Sequence, residues 1–234
     1  MMNSSPMFAV NNIHEFLELM KAARLAGGDF DYFPNPFYLS AVLNGKKLLD
    51  QYNRADVKSY ATEEYWDNLP YTHGVNGNGT PMDLVKFKTT PCDGKGLQKE
   101  SSKGKTENYL GEDILKRANE GKICFLFQVQ FFNADAIRNT LGGKHSDWGV
   151  IDWVENGGEL WDEAALPFYN LAKVEVRPEP TADGQNKVTE VRCEDEFINT
   201  RLHASPMNQP IGSIARVRTY VEENSRARRM KELQ

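Results

Sequence analysis

Within "PIGSIARVRTYVEENSRARR", residues 210–229, the run from Arg216 to Tyr220 holds the pair of side chains best suited to chemistry. Residues four apart on a helix share a face, so Arg216 and Tyr220 arrive at one place if this segment is helical. A phenol left alone titrates near pH ~10, and a guanidinium beside it favours the phenolate, the form in which it binds a ferric ion. The plainer reading is a solvated helix face. The same helix runs on into "RARRMKELQ", whose positive charge suits a helix C-terminus and offers at most a surface for an acidic partner.

Few other residues compete for a chemical role. His14, His73, His145 and His203 stand singly and read as exposed or structural. No His-x-x-x-His, clustered Cys/His or paired carboxylates suggest zinc. "GVNGNG" at 74–79 lacks the lysine and the strand-to-helix setting of a phosphate-binding loop, so it reads as a turn. Cys92, Cys124 and Cys193 are too far apart for a Cys-x-x-Cys unit. Their odd number predicts reduced, buried thiols and therefore a cytoplasmic location.

Composition narrows the class. A chain of 234 residues, 40% apolar and 11% aromatic, can bury a sizeable core. A net charge of −5 argues against a nucleic-acid partner, which requires a basic footprint. No apolar run reaches the ~18–20 residues that span a bilayer, and the first residues lack the basic-then-apolar pattern of a secretory signal.

The elements that must position Arg216 and Tyr220 follow from period and punctuation. A short strand is expected at Pro6–Val10. Ile13, Phe16, Leu17 and Met20 form a helical stripe, with Asn12 and Glu15 as a capping box and Gly27-Gly28 as the stop. Residues 35–53 read as a weaker helical stretch, 82–90 as a strand and 93–108 as an exposed loop, while 133–143 stays a loop or short helix. A helix over 112–120 stops at Gly121. In "ICFLFQVQFF", Ile123, Phe125, Phe127, Val129 and Phe131 form one alternate set, and the other contains Gln128 and Gln130. "NLAKVEVRP" and "KVTEVRC" flank a turn-like segment at 179–186 and predict a hairpin. Pro210 and Gly212 break the chain, Ser213 caps, and Ile214, Val217 and Val221 predict the apolar stripe of a last helix. The class is α+β, mainly antiparallel.

Four blocks, in this order, resemble the catalase-like haem proteins and their short branch, which includes allene oxide synthase-type hydroperoxide enzymes. They are "NSSPMFAVNNIHEFL", "EEYWDNLPYTHG" with "LVKFKTTP", "GKICFLFQVQ", and "LHASPMNQPIGSIARVR". The resemblance implies a single domain over 1–234: a partial antiparallel β-barrel with flanking helices and a C-terminal helix. It further implies haem b, a distal His and Asn above the iron, and below it a tyrosine ligand with an arginine one helical turn earlier. Tyr220 would be the iron ligand, Arg216 its charge partner and Asn3 the distal hydrogen-bond donor. Laid on the family without a gap, however, the ligand position falls on Glu222 and its arginine on Arg218, and the distal His has no counterpart. On that basis the chain resembles the later two-thirds of a catalase-like domain, truncated at its N-terminus. The implied activity is turnover of hydrogen peroxide or organic hydroperoxides, in a homo-oligomer. The alternative is a haem-free, degenerate module of the same fold with a binding or assembly role and no catalysis.

Overall fold

The computed structural model describes residues 10–25, 43, 57–75, 81–93, 106–133, 135–136, 139, 147–176 and 207–232. Asn3, most of the expected first strand, nearly all of 35–53 and the second strand of the expected hairpin lie outside the described residues.

Helix α1, Ile13–Leu25, starts where its cap dictates. The Asn12 side chain accepts from the backbone N–H groups of His14 and Glu15, at 3.0 and 3.1 Å, while Glu15 reaches back to the Asn11 N–H at 2.7 Å. After a 3-10 turn at Tyr60–Thr62 come β1 (Tyr65–Trp66), β2 (Tyr71–Val75) and β3 (Pro81–Pro91). Helix α2, Tyr109–Asn119, ends as expected at Gly121, whose φ of 64° is the left-handed conformation that glycine adopts without strain. It leads into β4 (Ile123–Phe131), followed by α3 (Val150–Glu155), β5 (Tyr169–Val176) and α4 (Ser213–Glu232).

The strands make one antiparallel sheet of five, ordered β1-β3-β4-β5, with β2 also on β3. Among the described residues it does not close into a barrel. Because side chains alternate across a strand, the β3–β4 register (Val85↔Phe131, Phe87↔Val129) fixes what each face carries. One face is aromatic: Phe87 stacks on Phe127 with centroids 5.2 Å apart, and Tyr71, Val85 and Val129 are buried with them. Burial of each such side chain contributes roughly 1.5–3 kcal/mol. The other face carries Lys86, Lys88 and Gln130 and is covered by a second core of Trp153, Trp161 and Leu166. A bulge between Phe127 and Gln128 shifts the β4–β5 register.

The thiol expectation is corrected here. Cys92 and Cys124 form a disulfide with Cα atoms 5.4 Å apart. Their separation of 32 residues hides the pairing in the sequence, but Cys92 follows β3, Cys124 lies in β4, and the antiparallel pairing of those strands makes them neighbours. No helix among the described residues is long and apolar enough to cross a membrane.

Candidate functional site

The direction in which α4 presents its side chains is set at its first turn. Residues 209–211 lie against the start of β2: Thr72 N–H donates to the Gln209 carbonyl at 2.9 Å and Ile211 N–H to that of Pro70 at 3.1 Å. Gly212 then turns the chain at φ +96°, where a Cβ would stand 3.2 Å from the Val154 carbonyl oxygen. Both the conformation and the contact call for glycine. The first helical N–H, that of Ser213, donates to Glu155 Oε2 at 2.7 Å, so a carboxylate sits at the positive end of the helix dipole. Burial raises the Glu155 carboxyl, but its hydrogen bonds to Ser213 and the nearby Arg216 outweigh that and leave it below its ordinary value. Ile214 and Ala215 complete the anchor, packing on Leu69 with Ile13 of α1.

With that turn fixed, the inward face of α4 is Ile214, Ala215, Arg218, Thr219 and Glu222. Val217 and Val221, expected to face the core, are exposed. Arg218 Nε stands 3.3 Å from Glu222 Oε1, with their side chains 23% and 11% exposed. Arg218 also acts electrostatically on Asp67 and Tyr71, a buried pair in which the phenol donates to the carboxylate. Asp67 additionally accepts from the Leu69 N–H at 3.3 Å. Burial pushes Asp67 up, and Tyr71, Leu69 and Arg218 oppose it. Tyr71 is pushed well above the ordinary phenol range by burial and then by the Asp67 charge, so it remains a proton donor at any physiological pH.

Arg216 and Tyr220 do share a face, as their spacing requires, but it is the outer one. Tyr220 is 68% exposed, and the Arg216 side chain is 69% exposed and 3.5 Å from Glu155. The positions that the gapless register assigned, 218 and 222, are the ones brought together beside the sheet.

A second cluster was missed in the sequence. Lys86 and Lys88 alternate with Val85 and Phe87 on β3, and both are buried, Lys86 being only 4% exposed. The Lys86 ammonium lies 4.8 Å from the centre of the Trp161 ring and donates to the Glu159 carbonyl at a long 3.4 Å. Lys88 lies over Trp66 and Phe168, at 5.1 and 5.4 Å, and pairs with Glu163 at 3.3 Å and Glu64 at 3.8 Å. Gln130, also buried, donates to the Trp161 and Leu166 carbonyls at 2.9 and 2.7 Å. Between these groups is a small cavity lined by Trp66, Asp67, Lys86, Gln130, Trp161 and Glu163, among others. Burial pushes the Lys86 amine down to about 8. Its signal in the sequence was the pair of lysines two apart in a strand whose alternate residues are apolar, with tryptophans available elsewhere to cover them.

No protein-family profile matches the chain, and no curated protein matches it in sequence. Comparison with solved structures is decisive for the architecture. Catalase A from Saccharomyces cerevisiae superposes over 96% of this chain with a TM-score of 0.65 at 13% identity. A fungal catalase gives 0.62 at 11%, and a bacterial catalase 0.61 at 10%, each again over 96% of the chain. The fold is catalase-like. The chain spans less than half the length of these catalases, 45%, 43% and 42% respectively.

Proposed function

We propose that this chain is a haem-free module of catalase-like fold, with a binding or assembly role and no peroxide turnover. The observation that carries the reading is the Arg218–Glu222 pair. The position that the family resemblance assigns to the iron ligand holds a carboxylate, and that carboxylate is closed on the arginine beside it. The remaining phenol on this stretch, Tyr220, projects from the opposite side of α4, since two residues turn a helical side chain by about 200°. The described residues of α4 therefore do not fit an iron-bound phenolate supported by an arginine. Among the described residues, no group of three His, Cys, Asp or Glu side chains stands close enough together to hold a metal in its place. Asn3, the proposed distal donor of the haem reading, adds no proximal ligand.

The test is reconstitution of the purified chain with ferric haem. The expected result is a spectrum of free or loosely adsorbed haem, identical in the native protein and in Tyr220→Phe, with no oxygen evolved from hydrogen peroxide. A sharp Soret band in the native protein that Tyr220→Phe abolishes would overturn this reading and restore the hydroperoxide enzyme with Tyr220 as ligand.

A further inference from the structure

Three of the residues that line the cavity beside β3 carry buried donors that the described residues satisfy poorly or not at all. Lys86 is buried, and its one hydrogen-bond acceptor among the described residues is the distant Glu159 carbonyl. Trp66 and Trp161, which line the same cavity, have buried indole N–H groups that find no acceptor among the described residues. Buried donors are ordinarily satisfied, and each one left open carries a desolvation penalty. The two carboxylates of the lining already have partners of their own. Asp67 receives the Tyr71 hydroxyl and the Leu69 N–H, and Glu163 holds Lys88. A ligand completing this arrangement must accept from a cation and from N–H groups, tolerate aromatic walls and fit a space the size of about one water.

We propose that this cavity binds a small monovalent anion, halide-sized, held by the Lys86 ammonium with the indole N–H groups of Trp66 and Trp161. The site is independent of the haem question, because none of these donors lies on α4. A water also fits the space and is the competing occupant, because Asp67 and Glu163 keep lone pairs that accept its hydrogens; the titration below separates the two. Tetrahedral oxyanions such as sulfate are too large. Lys86 and Lys88 face Asp67, Glu159, Glu64 and Glu163, with Arg218 beyond Asp67. As pH rises through about 8, Lys86 loses its proton and the anion loses its cation. Affinity therefore falls with rising pH.

Bromide is the probe, because a bound heavy halide quenches the indoles that hold it. Tryptophan fluorescence of the purified protein is titrated with sodium bromide, using sodium sulfate to keep ionic strength constant. The expected result is a saturable quenching component above the linear collisional one. It weakens by about tenfold or more in Lys86→Met and in Trp161→Phe, as loss of a charge-assisted donor or a buried N–H implies. It also weakens between pH 7 and pH ~9. Near-ultraviolet circular dichroism confirms that each variant is folded, and Trp161→Phe, which retains an aromatic ring in the wall, decides the matter if Lys86→Met does not fold. Strictly linear quenching in the native protein would mean that the cavity holds water alone, and a saturable component unchanged in Trp161→Phe would place the bromide elsewhere. Either result overturns the proposal.

Discussion

Two pairs on α4 have the same spacing and each begins with an arginine, yet they end in opposite surroundings. Arg216 and Tyr220 lie in solvent, whereas Arg218 and Glu222 are turned toward the buried Asp67 and Tyr71. Spacing decides only that two residues share a helix face. The direction of that face is decided by the residues that anchor the helix, here Gly212, Ile214 and Ala215 against Val154 and Leu69. A pattern of i and i+4 residues is therefore evidence of neighbourhood and not of burial.

The contrast is broken most severely at the anchor. Ile214→Ala removes the larger apolar side chain that seats α4 and is expected to destabilise the chain by about 3 kcal/mol, seen as a lowered midpoint in urea. A comparable effect on β3 depends on pH. Burial lowers the Lys86 pKa from 10.5 to about 8, so between those values the unfolded chain binds more protons than the folded one. Stability of the native protein relative to Lys86→Met is then expected to rise with pH across that window, by up to roughly 3 kcal/mol, in denaturation curves taken at pH steps. Arg218→Met leaves the inward Glu222 without its cation and is expected to cost about 2 kcal/mol, less than a fully buried pair because both side chains retain some contact with water. Arg216→Met and Tyr220→Phe sharpen the comparison from the other side. Each is expected to shift the unfolding free energy by less than about 0.5 kcal/mol, as exposed positions do.

These residues also show how far the sequence could be read. Alternation gave β4 nearly residue for residue, and Asn12 and Gly121 marked the start of α1 and the end of α2, because caps and turns are local chemistry. The last helix was legible as a helix, but its buried face was not. Val217 and Val221 are apolar and exposed, while Arg218 and Glu222 are charged and turned inward, so hydrophobic period placed Ile214 correctly and the rest of the stripe wrongly. The lysine cavity was hidden for a related reason. Lysine is ordinarily a surface residue, and its burial here depends on Trp66, Trp161 and Gln130, which come from three separate segments. The four blocks of resemblance gave the fold correctly even though identity with catalases of known structure is only 10–13%.

The bond between Cys92 and Cys124 ties the end of β3 to the beginning of β4 across all the intervening chain. A protease that nicks the backbone anywhere between those two positions therefore cannot release either half. The cleaved protein should migrate as a single band on a gel run without reductant and separate into two pieces once dithiothreitol is added.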